Sequence, residues 1–255
     1  MIPPPGRRVS LHEMADEVAG VCAARQSLLV EVDCDAGADP TVDLSTLLTP
    51  GEVAAFGRLQ KPMARSRAVV RRATLRAALG AGLRLPPRQV PLWYDESGRP
   101  RVGVPGQGDL FGLSCSSCEG LAVFCLAPCA DVGVDVQACS ERMFPMQLAS
   151  HMLHEEENGL FESIPDTSQT AWLTGAWVCK EAWLKAIGSG LLMDPRDLCL
   201  QPEGANDFRY NLGFALSGPS GQRGYLRWDG DAALAVVLSS GAPPLRRVRW
   251  MPDTA

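Results

Sequence analysis

Val132-Gly133-Val134-Asp135-Val136 sets a single carboxylate in an otherwise apolar, strand-like run. Some forty residues on, Trp177-Val178-Cys179-Lys180-Glu181-Ala182-Trp183-Leu184-Lys185 sets another carboxylate between two lysines, in a helical pattern. A buried bare carboxylate is costly, so Asp135 requires a cation, a metal or hydrogen-bond donors. Asp135 and Glu181, brought together around Mg²⁺ with phosphate completing its shell, would meet that need. The pair therefore points to phosphoryl-group chemistry, carried by a strand and a helix that pack together.

Outward from this pair the chain reads as two halves of similar make-up. Residues 26–129 contain a strand from Ser27 to Val32 and a helix opening at Thr49-Pro50-Gly51-Glu52, with Thr49 as cap and Pro50 in first position. Pro62 breaks that helix; a second runs from Met63 to about Leu79 and stops near Gly80 and Gly82. Strands follow at 90–94, 110–115 and 120–127, separated by turn-rich segments. Residues 130–255 open with a strand at 131–136 and continue as helices at 141–161 and 168–187. They close with strands at 208–215, 223–228, 232–239 and 246–250. Residues 1–25 form an N-terminal extension with a turn or short helix. The expected fold is α+β, two similar subdomains meeting near Pro128–Ala130 with a cleft between them.

Composition is globular, with 46% apolar and 21% charged residues in 255. A pI near 5.3 argues against general nucleic-acid affinity. Yet Arg58, Lys61, Arg65, Arg67, Arg71, Arg72 and Arg76 follow one another with no acid among them. A basic patch on an acidic chain suits a small polyanion better than a duplex. Nine cysteines spread through a chain of this size read as free thiols in a reducing cytoplasm. No signal-like apolar run opens the chain, and no segment approaches the roughly 18 apolar residues of a membrane span.

Each constellation has a plainer alternative. Glu181 and Lys185 are helix neighbours and read equally as a surface pair contributing about 0.3–0.5 kcal/mol. Trp172, Ala176, Cys179, Trp183 and Ile187 form an expected buried stripe. Cys115, Cys118, Cys125 and Cys129 suggest zinc, against which stands the strand-like Gly120–Phe124 in their middle. His12, His151 and His154 are too scattered for a triad, and no P-loop is present.

Taken in order, Gly133-Val134-Asp135-Val136-Gln137, Trp177-x-x-Lys180-Glu181-Ala182-x-x-Lys185 and Gly188-x-Gly190-Leu191 resemble the signature of 4′-phosphopantetheinyl transferases of the large, single-chain Sfp type. Arg67 with Leu75-Arg76, Gly98-Arg99-Pro100 and Phe111-Gly112-Leu113-Ser114-Cys115-Ser116 fit the same order upstream. The resemblance implies a pseudo-twofold pair of α+β subdomains with coenzyme A in the cleft. It also implies Mg²⁺-dependent transfer of phosphopantetheine to a serine of an acyl or peptidyl carrier protein, releasing 3′,5′-ADP. By position, Asp135, Gln137 and Glu181 would hold the metal, and Glu181 and Lys185 would be catalytic. Arg67, Arg99, Ser114, Cys115, Lys180 and Lys185 would contact coenzyme A. Gln137 stands where many relatives have a second acid, and Cys115 where they have histidine. Those departures sustain an alternative, a non-catalytic coenzyme A- or carrier-binding descendant of the fold. A cytoplasmic monomer is expected; Met143, Phe144, Pro145 and Met146 offer an adaptable apolar surface that either docks the carrier or seals the subdomain interface.

Overall fold

Four layers stack as helix, sheet, sheet, helix because the central strands are apolar on both faces. The structure, a computed structural model, describes residues 8–35, 43–127, 131–140, 146–188, 193–203, 207–216, 222–239 and 245–250. In the first sheet β1 (Arg8–Val9), β12 (Leu245–Trp250), β2 (Ser27–Asp33), β6 (Leu121–Ala127) and β5 (Gly112–Cys118) lie side by side in that order. In the second the order is β7 (Val132–Ala138), β11 (Ala232–Leu238), β10 (Arg223–Asp229), β9 (Leu212–Leu216) and β8 (Leu200–Glu203). A small ribbon pairs β3 (Leu92–Tyr94) with β4 (Pro100–Val102).

Alternation along each strand sorts the core into three parts. Between the sheets, Leu29, Val123 and Cys125 of the first pack with Val132, Val134, Val136, Leu234, Val236 and Leu238 of the second. The outer face of the first sheet, including Val30, Phe124 and Leu126, is covered by α1 (Leu11–Ala23) and α3 (Pro62–Leu83). The outer face of the second, including Ala233, Ala235 and Phe214, is covered by α6 (Asp166–Ile187). Each half is thus a 22-residue helix laid on a five-stranded sheet, the α+β architecture expected.

The division along the chain differs from the expected one. Strand β12 leaves the 130–255 unit and pairs in parallel with β2 and β1 of the first sheet. Its Arg247 is buried and joins Glu31 on β2 to Asp229 on β10, so one ion cluster ties both sheets together. Nor is the N-terminus an appendage, because Met14, Val18 and Val21 of α1 lie in the first core. The expected break at 128–130 lies outside the described residues.

Helix α3 passes through Gly80 and Gly82 instead of stopping there. These glycines are points of close approach: a Cβ on Gly82 would sit 2.9 Å from Cys22 Sγ on α1. The helix anticipated over 141–161 is broken within its described part. α4 (Ala149–Met152) ends at an extended Leu153, and α5 (Glu155–Glu162) starts anew with His154 as cap and three glutamates in its first turn. The α2 helix (Pro50–Gly57) has the expected Thr49 cap, reinforced by Glu52 in a capping box. Along α6, Trp172, Ala176, Cys179 and Trp183 are buried as anticipated, but Ile187 at the helix end is exposed. Strands β4 and β8 carry too few apolar residues to signal themselves, and residues 208–210 form a turn where a strand was expected.

Candidate active site

The site lies where the edge of one sheet meets the edge of the other. Ser114 Oγ on β5 accepts a hydrogen bond from the Val134 N–H on β7, at 3.0 Å. Two residues further along β5, Ser116 Oγ donates to Asp135 Oδ1 at 2.6 Å. On the other side of β7, α6 rests so close that Gly133 admits no side chain. A Cβ there would lie 1.7 Å from the Ala182 carbonyl oxygen. That approach brings the Glu181–Lys185 face of α6 to Asp135, and Lys185 Nζ donates to Asp135 Oδ1 at 2.5 Å.

Asp135 is almost fully buried, and its Oδ2 has no hydrogen-bond partner among the described residues. Burial pushes the Glu181 carboxyl above its ordinary range, the nearby charge of Asp135 pushes it further, and Lys185 opposes both. Two acids, one buried and one half-buried, share a corner with one ammonium. A buried carboxylate oxygen with no donor, beside a second acid whose charge is disfavoured, is an all-oxygen set that fits a hard divalent cation such as Mg²⁺. Gln137 projects from the same face of β7, opposite Ala233, two residues beyond Asp135. It is half-buried and does not line the cavity.

A cavity of about 240 Å³ opens beside the acids, lined in part by Arg99, Ser114, Cys115, Glu181, Lys185 and Gly188. Arg99 reaches it from a tight turn built by Asp95, which accepts from the Ser97 and Arg99 backbone N–H groups and from Arg101. These donors, with the Ser97 hydroxyl first among them, hold the Asp95 carboxyl down at about 2. The guanidinium of Arg99 donates to the Val132 carbonyl at 3.3 Å and spans to the end of α6. There Gly188 has φ 71°, and a Cβ would stand 2.9 Å from Arg99 Nη1. A second cavity of about 200 Å³ shares Gly98, Pro100 and Cys115 with the first and adds Arg71, Arg72, Tyr94 and Ser117. The two adjoin as one cleft: one end sets Glu181 beside Lys185 and Arg99, and the other end is basic.

Several expected ligands stand elsewhere. Lys180 is completely buried, bonded to the carbonyls of Met152, Pro195 and Leu198 and paired with Glu157 at 2.6 Å. A one-residue step on a helix turns a side chain by about 100°, so Lys180 points into the second core while Glu181 faces the cleft. It is a structural strut rather than a coenzyme contact. Arg67 forms a two-pronged pair with Asp35 at 2.5–2.6 Å and lines neither cavity of the cleft. Cys115 does line the cleft, but burial pushes its thiol up to about 12, so it is a neutral group there. The zinc alternative fails on strand geometry, because Cys115 and Cys118 are three apart on β5 and face opposite sides. Cys129, Gly190, Leu191 and residues 143–145 of the anticipated docking segment lie outside the described residues.

Two further contributors figure in the sequence, Ser116 within the Phe111–Ser116 motif and Arg71 within the basic run that suits a polyanion. Ser116 shares a strand face with Ser114, and that spacing was the available signal. Arg71 donates to Ser117 Oγ at 2.5 Å and has no acidic partner among the described residues. Its neighbours are engaged: Arg72 with Glu52 and Tyr94, Arg76 with Glu52 and two carbonyls.

Residues 131–237, the span from β7 through most of β11, match the 4′-phosphopantetheinyl transferase superfamily. The 4′-phosphopantetheinyl transferase HetI of a Nostoc species is 31% identical over 63% of this chain and 68% of its own. A holo-[acyl-carrier-protein] synthase of Streptococcus pyogenes is 38% identical over 63 residues, which cover 23% of this chain and 53% of that one. A holo-(acyl-carrier-protein) synthase of Bacillus anthracis, solved with CoA (3′,5′-ADP), overlays 45% of this chain and 96% of its own with a TM-score of 0.37 at 18% identity. The superfamily match spans the strand and helix that carry Asp135, Glu181 and Lys185, and the likeness to the Nostoc protein takes in most of that protein's length. On both grounds this chain belongs to the 4′-phosphopantetheinyl transferase superfamily, a family of transferases, in its large single-chain form.

Proposed function

We propose that this chain transfers the 4′-phosphopantetheine group of coenzyme A to a serine of an apo acyl or peptidyl carrier protein, releasing 3′,5′-ADP. The observation that carries the reading is buried Asp135 with half-buried Glu181 and Lys185 beside it, opening on a cleft whose far end is basic. In the reaction the carrier serine oxygen bonds to the phosphorus bearing pantetheine. The bond from that phosphorus to the bridging oxygen breaks, and the bridging oxygen leaves with 3′,5′-ADP. Glu181, raised toward neutrality by burial and Asp135, is suited to accept or relay the serine proton. Lys185 and Arg99 stand where charge develops on the phosphates, fixed in advance by Asp135 and by the Asp95 turn. Asp135 and Glu181, with Gln137 nearby, would hold Mg²⁺, which neutralises pyrophosphate charge when bound. Arg71, which has no acidic partner among the described residues, would meet the nucleotide phosphates in place of Arg67.

The test is the mass of an apo carrier protein incubated with coenzyme A, Mg²⁺ and this chain. A gain of one phosphopantetheine, abolished by Glu181→Ala, is expected. A panel of carriers left unmodified while coenzyme A binds in a calorimeter would favour the non-catalytic alternative.

A further inference from the structure

We propose that Ser116 is a positioning residue that readies Asp135 for a divalent cation, an inference that rests on the metal reading above. The final torsion of an aspartate is broad and roughly twofold, so Asp135 does not fix its own carboxylate. Lys185 alone would not fix it either, because an ammonium has three donors and can bridge both oxygens. Ser116 removes that freedom. Its hydroxyl and Lys185 Nζ both donate to Oδ1, at 2.6 and 2.5 Å, which satisfies that oxygen and leaves Oδ2 without a donor among the described residues. An unpartnered carboxylate oxygen at this depth is costly by itself and becomes favourable once a cation is bound.

Ser116 is itself firmly placed. It pairs across from Val123 on β6, and Ser114 two residues earlier is bonded to the β7 backbone next to Asp135. The donor belongs to the first sheet and the acceptor to the second. Cation affinity is therefore coupled to the joint between the two halves, and any movement of β5 against β7 would be felt at the metal.

The experiment titrates the full chain with Mn²⁺, a magnetic stand-in for Mg²⁺, reading free Mn²⁺ by electron paramagnetic resonance. Ser116→Ala should weaken binding about 10-fold or more, as losses of outer-shell partners do, and Ser116→Thr, which keeps the hydroxyl, should restore most of it. In chelator, urea unfolding of Ser116→Ala, Asp135→Asn and the double variant should be non-additive. Unchanged Mn²⁺ affinity in Ser116→Ala, or additive unfolding energies, would overturn the proposal. Wild-type protein that binds no Mn²⁺ but shows the non-additivity would instead overturn the metal reading, and this role with it. Phosphopantetheine transfer that persists in either case keeps the proposed reaction intact.

Discussion

Helices α3 and α6 are of equal length and lie on matching sheets, yet they divide their charges over different spans. On α3 most of the cations are neutralised within their own half: Arg67 by Asp35, Arg72 and Arg76 by Glu52. Arg71, at the cleft, is the exception among those that follow Arg65. On α6 the same split falls within six residues. Lys180 is enclosed by Glu157 and three carbonyls, whereas Glu181 and Lys185 face Asp135 and the cleft, with no other charged partner among the described residues. A charge whose partners are complete holds the fold; a charge left short of partners at a cleft is available to a ligand. That difference separates the residues of one short signature into two kinds.

The largest effect should come from breaking the enclosed pair. Lys180→Met leaves Glu157 buried without its cation and should cost about 3–5 kcal/mol of stability, measured by urea unfolding. Adding Glu157→Gln should recover part of the loss. Lys185→Met should show the contrasting pattern. Its side chain is partly exposed and Asp135 keeps Ser116, so the stability loss should be smaller than for Lys180→Met. Transfer, by contrast, should fall about 100-fold or more, as when a preorganised donor is removed from a reacting centre. If both lysines behave alike, the division between strut and site is wrong.

The basic end sharpens the same contrast. Arg71→Ala should weaken coenzyme A binding about 10-fold, the scale of one lost charged hydrogen bond. Arg67→Ala should leave coenzyme A affinity nearly unchanged, since Asp35 already engages that guanidinium. Calorimetry on the two variants decides, and the reverse order would move the phosphate contacts from Arg71 to Arg67.

The smallest effect concerns the Asp95 turn that presents Arg99. The folded-state pKa of Asp95, about 2, lies below the ordinary 3.8. A depressed carboxylate stabilises the fold at pH above its unfolded value and loses that contribution as pH falls toward its folded value. Wild type should therefore exceed Asp95→Asn in urea midpoint at about pH 5, with the gap closing between about pH 4 and pH 2. A gap constant across that window would show that Asp95 acts through shape alone.

Much was legible in the chain itself. The apolar runs around Leu28–Val32, Leu121–Ala127 and Val132–Val136 are strands because they are buried on both faces, and such runs announce themselves. The Thr49–Glu52 start is local chemistry and needs no tertiary information. Strand β8, which contains a proline and two polar residues, is held by pairing with β9 and carries almost no signal of its own. The crossing of β12 into the first sheet is invisible for a related reason. Its arginines satisfy no local rule, and Glu31, which Arg247 meets, is 216 residues away.

In the site, the sequence by itself determined which side chains are candidates for the proposed chemistry: an acid in an apolar strand, and Glu181 with Lys185 on one helix face, since helical spacing alone makes those two neighbours. What only the tertiary structure decided was which of the charged residues remain available. Spacing fixes the direction of a side chain around its own helix, but not what covers that direction. Whether Lys180 meets solvent or a ring of carbonyls, whether Arg67 finds Asp35, and whether Ser116 reaches Asp135 all depend on segments brought together from distant parts of the chain. Electrostatic availability is a property of the finished packing, because it depends on every donor and acceptor within a few ångströms, whatever their distance in sequence.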